Sequence, residues 1–283
     1  MEDNKYYVLR YKCYDSGFFC HFFYILGGVN YCLNNNLKPV VDWSHIFNIY
    51  GDSSRPESNP FEYFFNQKYS INDLTPDNHI VAPDGFSKDV WPEDHIPYGV
   101  EGLKLRDYST LVSKFNKVFT DVFSIKEDIL KEINTDVSKY KTLGVHCRRS
   151  DMVLGHPQHA LVHDLNETYS KVIKTFEQGN YEKIYLATEE NEIIDFFKEK
   201  FQDKLIYQEN IWRADPGVKE WCWYNMRSND RPQHNYLKGK EVLLDSLNLS
   251  KCDSIICSIS NVSYSAIIFN NLNYSNIYYF DEL

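Results

Sequence analysis

The stretch LGVHCRRSD, from Leu143 to Asp151, decides how the rest of this sequence is interpreted. It begins as an apolar β-strand and ends in two adjacent arginines and an aspartate. A guanidinium group presents a planar fork of donors that matches phosphate oxygens, so Arg148 and Arg149 are suited to hold an anion. Because the chain contains 40 acidic residues, a pair of salt bridges between domains explains the two arginines equally well. The stretch alone leaves both interpretations open.

Strands and helices alternate on the C-terminal side of this stretch. The segments KIYLAT, KLIYQ, DSIICS and NIYYF have the composition of strands. Helical patterns occur between them, including NEIIDFFKEKF, KGKEVLLDSLNLSKC and NVSYSAIIFNNL. Alternation of this kind predicts a parallel sheet with helices on both faces.

The N-terminal part contains the same pattern once. YYVLRYK and LKPVVDW predict two strands, and residues 18–33 between them predict a helix. Residues 44–102 predict loops with short helices, whereas residues 110–137 return to helical spacing of apolar side chains. The sequence therefore predicts an α/β protein with two domains, residues 1–137 and 138–283, whose parallel sheets face each other across a cleft.

Composition and charge limit the classes of function. With 43% hydrophobic and 25% charged residues among 283, the chain has an ordinary globular composition. A net charge of −10 argues against a dedicated nucleic-acid binder, because such proteins neutralise phosphates with Lys and Arg. Any phosphate site must therefore be a local focus of positive charge. The aromatic share of 16% suits pockets that stack rings, or it reflects a compositional bias toward Tyr, Asn, Lys and Ile.

The sequence predicts a soluble, cytoplasmic protein with no membrane span. The N-terminus lacks a basic start followed by an apolar run. The apolar stretch GFFCHFFYILGGVNYCL is interrupted by His21, Asn30 and three glycines, so we expect a buried helix there. Seven cysteines without a CxxC pair predict no disulfide framework.

Ligands of a parallel α/β sheet bind beyond the carboxyl ends of its strands. Four polar stretches occupy such positions, at residues 15–17, 146–151, 188–190 and 258–263. In the last stretch, hydroxyl, amide and backbone N–H groups at a helix N-terminus suit a phosphate, or Ser260 or Asn261 simply caps the helix. Gly17 allows close backbone approach or a positive φ, or it belongs to an ordinary turn.

Asp245 lies within an otherwise apolar helical segment. Its carboxylate is suited to accept hydrogen bonds from a nucleobase or a ribose, or it is one solvated position on an amphipathic helix. The sequence has no HExxH, CxxC or DxD spacing for a metal, and it has neither a P-loop nor a GxGxxG motif. It therefore predicts neither a metal nor another cofactor.

Four segments together resemble the fucosyltransferase superfamily that includes the nodulation and core α1,6-fucosyltransferases. GVHCRRSD resembles the H-x-R-R-x-D segment of that family. Three further segments agree with it in order and spacing: KIYLATEENEIIDFFKEKF, KGKEVLLDSLNLSKCDSIICSISNVSYSAIIFN and DSGFFCHFFYILGGVNYCLNNNLKPVVDW. The resemblance covers residues 140–270 well and 12–43 moderately, and it hardly extends to the residues between.

The resemblance implies a GT-B fold of two Rossmann-like domains, with the acceptor on the side of residues 1–137 and the nucleotide sugar held mainly by 138–283. It implies that His146 and Asp245 contact the nucleoside. It also implies that the diphosphate is held by Arg148, Arg149, Ser260 and Asn261, with Ser258 and Val262 in the same turn. Gly17 and Phe18 would approach the donor from the N-terminal domain. Such enzymes need no divalent metal and no other cofactor.

The function implied is that of a metal-independent inverting glycosyltransferase, moving L-fucose from GDP-fucose to a glycan or glycoprotein acceptor. Arg149 would neutralise the departing diphosphate, and the acceptor proton would pass to Asp151, His156, Asp15 or Asp73. Met152 and His156 stand where the core fucosyltransferases have a lysine and a glutamate suspected in acceptor activation. Two alternatives therefore stay open: a UDP-sugar donor such as UDP-xylose, and a non-catalytic glycan-binding module.

Overall fold

The computed structural model describes residues 5–10, 17–82, 104–148, 164–213 and 231–283. These residues form two compact units, each assembled from separate segments of the chain. Unit 1 contains the described residues of 1–98, 113–131 and 229–240, and unit 2 contains those of 99–112, 132–228 and 241–283. The two predicted domains are continuous in sequence, and the boundary between them after residue 137 stays a prediction.

Unit 1 is built around a small parallel sheet. Its elements in chain order are β1 (Tyr6–Leu9), α1 (Phe18–Asn34), β2 (Lys38–Val41), α2 (Phe47–Tyr50), β3 (Phe65–Gln67), β4 (His79–Val81), most of α3 (Ser109–Val122), β5 (Phe123–Ile125) and α4 (Glu127–Leu130). The sheet has the order β2-β1-β4, and β3 pairs separately with β5 in antiparallel register. The predicted strand–helix–strand unit is confirmed as β1-α1-β2.

Aromatic rings make up much of the core of unit 1. Helix α1 is buried along most of its length, and Phe22 stacks on Phe65 with ring centroids 5.4 Å apart. Gly28 lets this helix lie directly on β1, since a Cβ atom there would stand 2.6 Å from Leu9 Cδ2. The predicted buried helix is therefore confirmed. Among the helices of the described ranges, none combines the length and apolar character needed to cross a membrane.

The prediction of a helical segment over residues 110–137 is wrong in its second half. Helix α3 ends at Val122, and the next three residues form β5 instead. Phe123 is buried with its ring centroid 5.0 Å from that of Phe61, and β5 hydrogen-bonds to β3. Apolar residues at helical spacing are compatible with a helix, but this tertiary pairing overrides the local pattern. Residues 79–81, expected within loops, likewise pair with β1 as the strand β4.

Unit 2 contains a larger parallel sheet. Its elements are β6 (Thr142–His146), α5 (Leu165–Gln178), β7 (Lys183–Ala187), α6 (Asn191–Phe201), β8 (Leu205–Ile206), the second half of α7 (His234–Leu249), β9 (Ser254–Cys257), α8 (Asn261–Asn270) and β10 (Asn276–Tyr279). The predicted alternation of strands and helices is confirmed, although α7 begins at His234 rather than at Lys238. Gly144 in β6 permits close packing, because a Cβ atom there would lie 3.0 Å from Cys252 Sγ.

The strand order of unit 2 defines where a ligand belongs. The five strands are parallel in the order β10-β9-β6-β7-β8. The chain therefore builds outward from β6 in one direction through β7 and β8, then returns and builds in the other through β9 and β10. Ligands of open α/β sheets bind at the carboxyl ends of the strands where this direction reverses. In unit 2 those strands are β6 and β9.

Candidate functional site

His146 is the last residue of β6 and is buried. Its Nδ1 atom lies 2.8 Å from Ser263 Oγ and 3.3 Å from Ser260 Oγ. Burial, together with the nearby charge of Arg148, lowers the pKa of His146 to about 3. The imidazole is therefore neutral at physiological pH. Among the described residues none makes a hydrogen bond to its Nε2 atom, so none of them competes with a ligand for this atom.

The turn after β9 surrounds this histidine. Ser258 Oγ donates to the backbone oxygen of His146 at 3.0 Å. Ser260 is the N-cap of α8, and its Oγ accepts from the Ser263 N–H, so the capping interpretation is confirmed. The N–H groups of Asn261 and Val262 make no hydrogen bond with any described residue. These donors lie at the positive end of the helix, where an anion is favoured.

Arg148 follows the adjacent end of β6. Its Nε atom lies 3.4 Å from Glu189 Oε1, and both side chains are about one-quarter exposed, at 27% and 26%. Since β6 and β7 are parallel neighbours, the residues that follow their carboxyl ends are brought together. The ion pair of Arg148 lies within unit 2 rather than between units. A long, partly exposed pair of this kind contributes little to stability.

Asp245 is buried on α7, so the interpretation as a solvated surface position is wrong. Its Oδ1 atom accepts a 2.7 Å hydrogen bond from the hydroxyl of Tyr185, a fully buried residue of β7. Burial raises the pKa of Asp245 to about 6, while the Tyr185 hydrogen bond and the charge of Arg213 act in the opposite direction. Glu241, one turn earlier on the helix, raises it further. With a pKa of about 6, the carboxylate is mostly ionised at neutral pH and gains a proton as the pH falls below 6.

Arg213 was not predicted from the sequence, and neither was Tyr185. The Arg213 side chain is buried, and it donates from Nε to Thr188 O at 3.1 Å and from Nη2 to Gln208 O at 2.7 Å. A tyrosine in a buried strand needs a partner for its hydroxyl, which is a usable sequence signal for Tyr185. Arg213 lies in an irregular segment and carries no comparable signal.

Three predicted residues lie in unit 1. Gly17 is the N-cap of α1 with φ −69°, so the positive-φ alternative is wrong. The ring of Phe18 is part of the core, 5.0 Å from that of Phe64, which leaves only its backbone for donor binding. Asp73 is exposed, and its Oδ2 atom accepts from the Ser70 N–H to cap its own turn. A catalytic role for Asp73 stays a prediction.

Asp15, Arg149, Asp151 and His156 lie outside the described residues, and the roles predicted for them stay predictions. Within the part of the chain that the structure describes, no cluster of three or more His, Cys, Asp or Glu side chains is arranged to hold a metal ion.

The fold is of the GT-B type seen in solved fucosyltransferase structures, and its parallel sheets with helices confirm the predicted α/β class. A crystal structure of NodZ alpha-1,6-fucosyltransferase soaked with GDP-fucose matches with a TM-score of 0.55 and 15% identity, over 94% of this chain and 92% of that chain. NodZ from Bradyrhizobium matches at 0.54 and 14%, over 93% and 92%. NodZ co-crystallised with GDP matches at 0.52 and 14%, over 93% and 91%. No protein-family model and no curated protein matches the sequence.

Proposed function

We propose that this chain is a glycosyltransferase that moves L-fucose from GDP-fucose to a glycan or glycoprotein acceptor. The observation that carries the proposal is the placement of His146, Arg148 and the 258–262 turn at the carboxyl ends of β6 and β9, where the strand order of unit 2 reverses. A nucleotide is expected at such a point. The fold likeness to NodZ, whose structure was determined after soaking with GDP-fucose, supports this choice of donor.

The nucleoside end of the donor is assigned to His146 and Asp245. Asp245 supplies a buried acceptor, which suits the N–H groups of a guanine edge or a ribose hydroxyl. The neutral His146 supplies Nε2 as donor or acceptor, according to its tautomer. Two buried polar groups of this kind discriminate strongly between bases, because a wrong base leaves them unpaired.

The diphosphate is assigned to Arg148, Arg149 and the start of α8. Arg148 follows β6, and the N–H groups of Asn261 and Val262 are free of partners among the described residues. By the resemblance to the fucosyltransferase superfamily, Arg149 adds a second guanidinium. Donors already in place stabilise negative charge as it develops on the leaving group. This arrangement supports a reaction in which protein groups, without a divalent metal, neutralise the diphosphate.

The transfer is proposed to proceed with inversion. The acceptor oxygen attacks the anomeric carbon from the face opposite the diphosphate, while the bond to the β-phosphate oxygen breaks and its electron pair leaves with the GDP. The anomeric carbon has oxocarbenium character at this stage. The acceptor proton passes to a base, for which Asp151, His156, Asp15 and Asp73 are the candidates.

The first experiment compares nucleotides without any knowledge of the acceptor. Thermal unfolding is recorded with GDP, UDP and ADP, and slow donor hydrolysis is measured with a panel of nucleotide sugars, with and without EDTA. GDP at a hundredfold excess over its Kd should stabilise the chain by about 2.7 kcal/mol, and hydrolysis of GDP-fucose should persist in EDTA. A response to UDP alone would assign a UDP-sugar donor instead. No response to any nucleotide would reduce the chain to a binding module.

A second experiment tests the phosphate clamp. Arg149→Ala should keep its circular dichroism spectrum and melting temperature but lose transfer by about 10²–10³-fold, as expected for one lost contact to developing charge. Lys at the same position keeps the charge without the planar fork and should retain part of the activity. Near-normal turnover of the alanine variant would contradict the assignment.

A further inference from the structure

Tyr185 and Asp245 form a buried hydrogen-bonded pair in unit 2. The Tyr185 hydroxyl donates to Asp245 Oδ1 at 2.7 Å, and both side chains are more than nine-tenths buried. Burial, followed by the charge of Asp245, raises the pKa of Tyr185 well above its usual range, so the phenol keeps its proton and acts as the donor. The second carboxylate oxygen, Oδ2, makes no hydrogen bond with the described residues. One oxygen of the carboxylate is therefore fixed, and no described residue competes with a ligand for the other.

The surroundings of Asp245 explain why it is held in this way. A buried carboxylate is costly unless hydrogen bonds or opposite charge compensate it. Tyr185 from β7 supplies the hydrogen bond, and Arg213 supplies the charge from the segment after β8. The Arg213 guanidinium is itself fixed by the backbone oxygens of Thr188 and Gln208. Glu241 on the same helix opposes ionisation.

We propose that Tyr185 is a positioning residue for donor binding: its hydroxyl holds Asp245 in one rotamer and ionised, so that Oδ2 accepts a hydrogen bond from the nucleoside. This role rests on the proposed function, because it assigns the nucleoside to Asp245. Tyr185 acts through Asp245 and does not touch the donor. A carboxylate fixed before binding loses less conformational freedom when the ligand arrives, which increases affinity.

The test measures GDP affinity by calorimetry between pH 5.5 and 8 in the wild type, Tyr185→Phe and Tyr274→Phe. Tyr274 is a matched control, since its buried hydroxyl donates to Leu249 O at 3.0 Å in the same unit. Taking the ratio of variant to wild-type Kd at each pH cancels the titration of the GDP phosphates. If Phe at position 185 prevents folding, Tyr185→Met removes the same hydroxyl with a side chain that adapts to irregular gaps.

The expected result is a GDP affinity about tenfold weaker at pH 7 in Tyr185→Phe, with a ratio that grows as the pH falls toward 6. Loss of the Tyr185 hydrogen bond raises the pKa of Asp245, so the variant loses its ionised acceptor at a higher pH than the wild type. Tyr274→Phe should lower stability by a similar amount and leave both affinity and pH dependence unchanged. In an Asp245→Asn background, Tyr185→Phe should have no further effect on GDP affinity.

Two outcomes would overturn the role, and they are distinguishable. If the wild type binds GDP but Tyr185→Phe retains its affinity and pH dependence, Tyr185 is purely structural and the proposed function stands. If the wild type binds neither GDP nor UDP at any pH, the proposed function fails and the positioning role fails with it.

Discussion

The imidazole of His146 and the hydroxyl of Ser263 lie 2.8 Å apart, and this contact joins the end of β6 to the first turn of α8. The two residues are separated by 117 positions in the chain, and their contact lies beside the two strands at the reversal point of the sheet. Because the ring is buried and lies near the charge of Arg148, the pKa of His146 is lowered and the imidazole is neutral in the folded chain.

Stability should therefore fall in acid through His146. Its pKa drops from the ordinary 6.5 to about 3 on folding, so only the unfolded chain binds the proton between these values. This contribution is fully present above pH 6.5 and is lost as the pH falls toward 3, with a slope of up to about 1.4 kcal/mol per pH unit. Urea unfolding of the wild type and His146→Gln at pH 4.5, 5.5 and 7.5 measures the difference. Identical pH slopes in the two proteins would show that His146 does not cause the loss of stability in acid.

Glu282 should also cause stability to fall in acid, by a smaller amount and at a lower pH than His146. Hydrogen bonds from Arg106, then from Lys104, lower its pKa from 4.5 to about 2, so its stabilisation is present above pH 4.5 and is lost below it. The Glu282 side chain is one-third exposed, which limits the effect to about 1 kcal/mol or less and makes it sensitive to salt. Glu282→Gln should flatten the stability profile between pH 5 and 3. Asp121→Asn, which removes an exposed ion pair with Lys117, is the control and should leave the profile unchanged.

The parts of the site that could be predicted from the sequence are those with a local signal. Strand ends follow from apolar runs and turn residues, so the sequence correctly predicts His146 at the end of β6 and the serine turn after β9. Ser260 is a residue type that favours the N-cap and directly precedes a helical pattern, so its sequence neighbours are enough to identify it as a cap. The sequence indicates that Tyr185 needs a partner, but it does not identify Asp245 as that partner, since the two residues are 60 positions apart and meet through packing of α7 on the sheet. The strand β5 was missed for the same reason, because its pairing with β3 is a tertiary contact.

Substitutions of Ser260, in the turn after β9, should change GDP affinity through the charge they introduce rather than through a change in helix capping. Asn and Asp are both good N-caps, so Ser260→Asn and Ser260→Asp should each unfold within about 1 kcal/mol of the wild type. If the diphosphate binds at this helix start, the aspartate variant places a like charge beside it, and GDP affinity should fall at least tenfold below that of the asparagine variant. Equal GDP affinities with equal stabilities would restrict Ser260 to capping.

Substitutions of Arg148 and Glu189 distinguish the two interpretations of the double arginine, phosphate binding and a salt bridge, at Arg148. A pair at 3.4 Å with both side chains partly exposed is worth less than about 1 kcal/mol, so Glu189→Gln should leave the free energy of unfolding nearly unchanged. The same change removes a carboxylate that competes with the diphosphate for Arg148, so GDP affinity should rise.

Arg148→Ala should have the opposite effect on GDP binding. Its affinity should fall at least tenfold, with Arg148→Lys intermediate, because lysine keeps the charge but loses the planar fork. Calorimetric titration of GDP and urea unfolding on the same preparations measure both quantities. Arg148 would instead serve the ion pair if Arg148→Ala lowered stability as much as GDP affinity. In that case Glu189→Gln should lower both quantities to the same extent. A loss of affinity without loss of stability assigns Arg148 to the phosphate, since only a ligand contact is absent from the unfolding equilibrium of the free protein.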